Sequence, residues 1–182
     1  MTVDQKFLNQ YFSTVWHHHS DPCTKDTKSG KQLVSKIKPH ESVIDVGCGT
    51  NPFKGIINNL VGVDPAFEQA DYKCTIDEFQ TTEKFDVALC LGSINFGDRI
   101  DIERQIAKVI SLLKPGGRIY WRCNPGNQDH PDKSCENIQF YPWSLPEHVR
   151  LSALFNADLV ECCWEQDGRR LYAEWVIRDC MD

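Results

Sequence analysis

Apolar residues in this chain occur either in short, nearly continuous runs or at intervals of three and four residues. Nearly continuous runs cover residues 43–46, 61–63 and 85–91, and runs of this length predict strands that are buried on both faces. Between residues 100 and 113 the spacing instead predicts a helix, which the Lys-Pro-Gly-Gly sequence at 114–117 is expected to end as a turn. This alternation predicts an α/β domain with a parallel sheet.

The remaining segments complete a predicted sheet of seven strands. Residues 72–76, 118–123, 158–165 and 170–178 are the other strand predictions, and helices are predicted over about 3–16, 29–37, 53–59 and 145–155. An Asp-Gly turn at 167–168 lies between the last two strands, which predicts an antiparallel hairpin at the end of a mostly parallel sheet. Residues 17–29 and 124–143 lack periodicity, and a loop as long as the second is usually functional or disordered.

Composition narrows the class of protein. A chain of 182 residues fits one domain, and no apolar stretch spans a bilayer or resembles a secretory signal, so we expect a cytoplasmic protein. Residues 1–40 hold six Lys and Arg against three Asp and Glu, so they carry +3, and the rest of the chain carries −9 to give the net charge of −6. An acidic body repels a nucleic-acid backbone, so neither nucleic acid nor a membrane is an expected partner. The nine scattered cysteines favour free thiols.

One stretch carries the first chemical signal. The strand predicted at 43–46 runs into Gly47 and Gly49, with Asp45 near its end. Glycines at a strand end let a ligand lie directly against the main chain, because no Cβ stands in the way. A second acid, Asp64, follows the next predicted strand. This pattern indicates a nucleotide-like ligand at the strand ends without saying which one.

Four motifs in order identify a family that the chain resembles. They are Val-Ile-Asp-Val-Gly-Cys-Gly at 43–49, Gly-Val-Asp-Pro at 62–65, Phe-Asp-Val-Ala-Leu-Cys at 85–90 and Leu-Leu-Lys-Pro-Gly-Gly at 112–117. Together they resemble the class I S-adenosylmethionine-dependent methyltransferases over residues 42–178. The resemblance implies a Rossmann-like three-layer sandwich, with residues 1–40 as a helical cap on a core at 41–182. It also implies S-adenosylmethionine as cofactor, S-adenosylhomocysteine as product, and methyl transfer to an O or N atom of a small molecule.

The same resemblance assigns residues to the ribose and methionine parts of the cofactor. The backbone of Gly47, Cys48 and Gly49 would approach both parts. Asp45 would interact with the methionine end. Asp64 would accept hydrogen bonds from both ribose hydroxyls, since its two oxygens form a bidentate acceptor.

The adenine end is assigned less uniquely. Asp77, with Ile76 beside it, is the best match for the acid that accepts the adenine amino group. Thr75 and Glu78 compete for that role, and Asp77 alternatively stands at a helix start. Pro65 would line the adenine from the other side.

No residue is assigned a catalytic role with the acceptor. The backbone at Leu91 and Gly92 would contact the cofactor beside its methyl group. Asn95 is a candidate for the substrate side, or it caps a turn. His130 is a candidate general base, or a surface histidine. The three histidines at 17–19 are further candidates for a base, but their spacing does not suit a metal, and no metal is expected.

Aromatic side chains and one departure from the family pattern leave alternatives open. The aromatics either build a pocket for a planar or cationic acceptor or cover the sheet edge; they are Tyr11, Phe12, Trp16, Phe140, Tyr141 and Trp143. Asn51 stands at the family's third glycine and Pro52 follows it, which counts against a nicotinamide dehydrogenase. The alternatives are a non-catalytic protein with this fold, or a methyltransferase of protein or nucleic acid.

Overall fold

The computed structural model describes residues 4–15, 25–126, 135–166 and 168–179 and contains one mixed sheet. Its strands are β1 (Ser42–Val46), β2 (Asn59–Val63), β3 (Phe85–Cys90), β4 (Leu113–Cys123), β5 (Ala157–Trp164) and β6 (Leu171–Ile177). They lie in the order β2-β1-β3-β4-β6-β5. The first four strands are parallel to one another, whereas β6 pairs antiparallel with both β4 and β5.

Four helices accompany the sheet within the described residues. They are α1 (Gln5–Thr14), α2 (Lys31–Lys36), α3 (Arg99–Ser111) and α4 (Leu145–Leu154). A capping box formed by Asp98 and Asp101 starts α3, and Ser144 caps α4 by accepting a hydrogen bond from the Glu147 N–H. Among the described residues, no helix has the length and apolar character needed to cross a bilayer.

The core divides between the two faces of the sheet. Alternate residues of β4 face opposite sides, so that Trp121 joins the cluster under α3 and α4 while Tyr120 joins the cluster under α2. Both side chains are at most 1% exposed. The described cysteines are free thiols, in agreement with the sequence prediction.

The predicted strand at 72–76 is wrong, and the sheet has six strands rather than seven. Tyr72 forms an isolated parallel bridge with Val63, and no ladder continues from it. The Glu78 carboxylate accepts hydrogen bonds from both the N–H and the hydroxyl of Thr75, at 2.9 and 2.8 Å. This local contact turns the chain inward, so Ile76 enters the core instead of extending the sheet.

The helix predicted at 53–59 is also wrong, because residues 51–58 form turns. Side chains rather than a helix complete the outer edge of β2 here. The Lys54 ammonium donates to the Leu60 carbonyl and to Asp71, and the Asp71 carboxylate accepts from the Gly62 N–H, each at 2.8 Å. These contacts satisfy the backbone groups of an edge strand that would otherwise be open to pairing.

The Lys-Pro-Gly-Gly segment belongs to β4 rather than to a separate turn. The pairing of β3 with β4 shifts register between Phe85 and Val87, and Gly116 has a φ of +70°. The strand therefore begins with an irregularity, which a glycine accommodates. Lys114 pairs with Asp86 of β3 at 2.8 Å and secures this start.

Candidate functional site

Two buried acids lie at the carboxyl ends of adjacent strands. Asp45 lies near the end of β1 and Asp64 directly follows β2, with 3% and 6% of their surfaces exposed. Burial, and then the charge of Asp64, raise the pKa of Asp45 to about 7. Within the part of the chain that the structure describes, no cationic group forms a salt bridge with either acid. These strand ends therefore bring two buried acids together, and no described residue supplies a counter-charge.

Backbone donors surround the Asp64 carboxylate. The Gly49 N–H donates to Oδ2 at 2.9 Å, and the N–H groups of Ala66 and Phe67 donate to Oδ1 at 2.7 and 3.2 Å. Burial raises the pKa of Asp64, and these three hydrogen bonds act in the opposite direction. A carboxylate offers about four acceptor positions. A ribose that donates two hydroxyls would have to displace at least one backbone donor.

The glycine turn between the two acids is closely packed against the loop after β3. Gly47 has a φ of +68°, and its N–H donates to the Val63 carbonyl at 2.7 Å. A Cβ at Gly47 would lie 2.3 Å from the Cβ of Ser93, so both conformation and space require glycine. Cys48 is buried in the same turn. The turn thus brings the predicted cofactor residues after β1 together with the Gly92–Ser93 backbone.

Asn51 takes over the conformation of the missing third glycine. Its φ is +58°, a left-handed value that asparagine tolerates better than most residues. Its side chain donates to the Gln69 carbonyl at 3.1 Å and covers Gly62, where a Cβ would lie within 2.8 Å of it. Sequence analysis places Gly62 in a family motif but does not predict this packing role. The signal for it was a glycine inside the apolar run 61–63, which indicates a close approach of another group.

The predicted adenine residues are divided between the core and an ion pair. Ile76 is 7% exposed and packs in the cluster that contains α3 residues. Asp77 pairs with Arg104 of α3 at 3.1 Å. Glu78 is occupied by Thr75, as described above. Pro65 follows Asp64 and is partly exposed. Of the two acids considered for the adenine, Asp77 is therefore the one that a helix side chain, Arg104 of α3, holds in place.

Asn95 ties together the ends of two strands. It is fully buried, its Oδ1 accepts from the Asn124 N–H at 2.9 Å, and its carbonyl accepts from the Tyr141 N–H at 2.8 Å. Its Nδ2 has no hydrogen-bond partner among the described residues. Asn95 thus holds the segment after β4 beside the loop after β3.

The predicted aromatic lining separates into two groups. On α1, Phe12 lies 5.3 Å from Phe96, which in turn lies 5.4 Å from Phe140. Tyr11 belongs to the same cluster, which joins α1 to the loop after β3. Tyr141 and Trp143 belong instead to the core under α4. Trp16, the histidines at 17–19 and His130 lie outside the described residues.

A buried histidine in that core was not anticipated. His148 is fully buried on α4 and stacks on Trp143, with ring centroids 4.6 Å apart. Burial lowers its pKa to about 3, and neither ring nitrogen has a partner among the described residues. The sequence held a signal for it, because His148 lies three residues before the buried Leu151, and this spacing puts both on the inner face of a helix.

Comparison of the sequence with protein-family models and with curated proteins finds no match. Solved structures do match. The 1,6-didemethyltoxoflavin-N1-methyltransferase of Burkholderia thailandensis, with 1,6-didemethyltoxoflavin and S-adenosylhomocysteine bound, is 17% identical with a TM-score of 0.70, over 96% of this chain and 86% of that one. The magnesium protoporphyrin IX methyltransferase of Synechocystis PCC 6803, with S-adenosylmethionine bound, is 13% identical with a TM-score of 0.67, over 97% and 98%.

The N-methyltransferase NodS of Bradyrhizobium japonicum, in complex with S-adenosylhomocysteine, is 14% identical with a TM-score of 0.61, over 96% of this chain and 99% of that one. All three likenesses extend over nearly the whole chain. They confirm the fold that the four sequence motifs predict, with six strands in the sheet. The chain has the fold of the class I S-adenosylmethionine-dependent methyltransferases.

Proposed function

We propose that this protein binds S-adenosylmethionine and transfers its methyl group to an O or N atom of a small molecule. The cofactor would lie across the carboxyl ends of β1, β2 and β3. Asp45 would interact with its methionine end, Asp64 with its ribose and Asp77 with its adenine. The backbone of the glycine turn and of Leu91 and Gly92 would contact the same ligand.

The observation that carries this proposal is the buried pair of Asp45 and Asp64, with which no cationic group of the described residues forms a salt bridge. Burying like charges together is unfavourable unless a positive group joins them. The methionine part of S-adenosylmethionine carries two positive groups, an ammonium and a sulfonium. A ligand of this charge at the strand ends would stabilise the ionised acids. The glycine turn beside them leaves the main chain accessible to such a ligand.

Two features support a small-molecule acceptor. Two of the similar structures are named for such acceptors, 1,6-didemethyltoxoflavin and magnesium protoporphyrin IX. In this chain Phe96 directly follows Asn95, and its ring contacts Phe12 of α1 and Phe140. Rings placed there suit a planar acceptor. Residues 1–40, which include α1, would serve as the cap over this site.

The direct test is calorimetry with S-adenosylhomocysteine. We expect the wild type to bind it and Asp64→Ala to bind at least about tenfold more weakly, since hydrogen bonds to a charged group contribute about 1.5–3 kcal/mol each. Asp158→Ala, at an exposed carboxylate on β5, is the matched control and should bind like the wild type. Absence of binding by the wild type, or full affinity in Asp64→Ala, contradicts the proposal.

A second candidate function is a non-catalytic protein with this fold. The observation that favours it is that several predicted cofactor groups already have internal partners, since the Gly49 N–H donates to Asp64 and Asp77 pairs with Arg104. Incubation with methyl-labelled S-adenosylmethionine and pools of small metabolites separates the two functions. Label transfer to a metabolite supports the enzyme, and cofactor binding without transfer to any pool supports the alternative.

A further inference from the structure

Arg104 lies between two carboxylates that belong to different parts of the chain. Its Nη1 donates to Asp101 Oδ1 at 2.9 Å. On the other side its Nε and Nη2 approach Asp77 Oδ2 at 3.2 and 3.1 Å. A guanidinium is planar and presents its donors in a fixed fork, so engaging both acids fixes their relative positions.

The Asp101 side of this bridge is rigidly held. Asp101 is 4% exposed, and its Oδ2 accepts from the Asp98 N–H at 3.3 Å as half of the capping box of α3. The helix itself packs on the sheet through buried side chains such as Ile102 and Ile106. Arg104 is therefore anchored to a well-packed helix start.

The Asp77 side of this bridge belongs to a loop and is more exposed than the Asp101 side. Asp77 lies in the loop that starts at the tip of β2, where the Tyr72 carbonyl accepts from the Asp64 N–H at 3.1 Å. The Asp77 side chain is 35% exposed, against 6% for the side chain of Asp101. Both donors of Arg104 approach Oδ2 of Asp77, which leaves Oδ1 for a further donor.

We propose that Arg104 is a positioning residue, which holds the Asp77 carboxylate so that Oδ1 accepts from the exocyclic amino group of the cofactor's adenine. The inference rests on the proposed function and adds to it the device that selects adenine. A loop aspartate without such a partner would lose rotamer freedom when the ligand binds. Because the Arg104 guanidinium already holds Asp77, the aspartate has lost this rotamer freedom before the ligand binds.

The test compares two ligands that differ at this one group. S-inosylhomocysteine carries an oxygen where S-adenosylhomocysteine carries the amino group, so it offers Asp77 a second acceptor instead of a donor. The measured quantity is the ratio of the two dissociation constants, obtained by calorimetry. Distortion elsewhere in the site weakens both ligands together, whereas loss of adenine selection changes the ratio.

We expect the wild type to favour S-adenosylhomocysteine by roughly tenfold to a hundredfold, the range for one hydrogen bond to a charged acceptor. Asp77→Ala should bring the ratio close to one. Arg104→Gln should lower it by about twofold to tenfold, the cost of ordering one side chain. Arg99→Gln is the matched control, because Arg99 lies on the same helix and pairs with Glu103 instead of Asp77; its ratio should equal that of the wild type.

The outcomes separate this inference from the proposed function. If the wild type binds neither ligand, both fail. If it binds S-adenosylhomocysteine and Arg104→Gln keeps the wild-type ratio, the positioning role is wrong while the cofactor stands. An unchanged ratio in Asp77→Ala likewise overturns the inference. Should Arg104→Gln fail to fold, Arg104→Lys keeps the charge but not the fork, and a lowered ratio in that variant gives the same support.

Discussion

Two regions of this molecule each bury an ionisable side chain to which no described residue supplies a counter-charge, and they differ in what surrounds it. Asp45 lies at the carboxyl ends of the parallel strands, beside the glycine turn and a second acid. His148 lies under α4, with aromatic rings of Trp143 and Trp175 centred 4.6 and 5.8 Å away. Burial among these rings lowers the pKa of the histidine to about 3 and keeps it neutral near pH 7. The strand-end acid instead has an environment that a cationic ligand would complete.

The two regions also respond to pH in opposite directions. The pKa of Asp45 is raised from 3.8 to about 7, so its protonated form stabilises the fold at low pH, and that stability is lost as the pH rises through 7. The pKa of His148 is lowered from 6.5 to about 3. Above pH 6.5 it has no effect, and below that value the unfolded chain takes up the proton first, so stability is lost as the pH falls.

The largest expected effect comes from replacing the acid. Asp45→Asn should raise the free energy of unfolding at pH 8 by up to about 4 kcal/mol, because the variant no longer has to ionise a buried group. At pH 5 the gain should fall below about 2 kcal/mol, since the wild-type acid is then protonated in the folded chain. Urea unfolding at the two pH values measures the difference.

The control for this prediction is an aspartate whose pKa is shifted the other way. Hydrogen bonds from Lys114 and Ser42 lower the pKa of Asp86 to about 2, although burial alone would raise it. Asp86→Asn should therefore lower the stability at pH 8. An Asp45→Asn gain that is equal at pH 5 and pH 8 would show that Asp45 titrates normally, and the contrast between the two regions would then disappear.

The histidine should give a smaller effect of opposite sign. His148→Phe keeps an aromatic ring stacked on Trp143 but cannot be protonated. Between pH 6.5 and pH 5 the wild type should lose about 2 kcal/mol of unfolding free energy relative to this variant. Parallel urea titrations over that range measure it, with Asp45→Asn expected to retain the loss. Identical pH profiles for wild type and His148→Phe would mean that His148 is accessible to protons in the folded chain.

Local pattern was enough to predict some of these features and not others. The apolar runs of β1 and β3 are buried on both faces, so their sequence alone predicts them. The acids at the ends of β1 and β2 follow from the same runs. The segment 72–76 has a strand-like composition, but a strand also needs a partner along its length. Here the local contact between Thr75 and Glu78 prevents it.

Features that depend on distant residues could not be predicted. The turns at 51–58 replace a helix because Lys54 reaches Asp71, seventeen positions away, and no local pattern encodes that contact. The pKa of His148 depends on rings from β4, β6 and the segment before α4. The left-handed conformation of Asn51, by contrast, follows from the residue type alone, because asparagine tolerates positive φ.

The smallest effect concerns ligand binding and tests most sharply whether the two regions differ in role. If the ammonium of S-adenosylhomocysteine binds next to ionised Asp45, protein in which Asp45 is protonated does not bind it well. The apparent affinity is then proportional to the ionised fraction and is lowered by protonation. With a pKa of about 7, the protonated fraction of Asp45 falls as the pH rises, so the affinity should increase about tenfold between pH 6 and pH 8. His148→Phe should show the same increase, because His148 is already neutral at both values. Asp45→Asn should bind more weakly and with no dependence on pH. If the wild-type affinity does not change with pH, or if His148→Phe removes its pH dependence, another group must bind the ammonium.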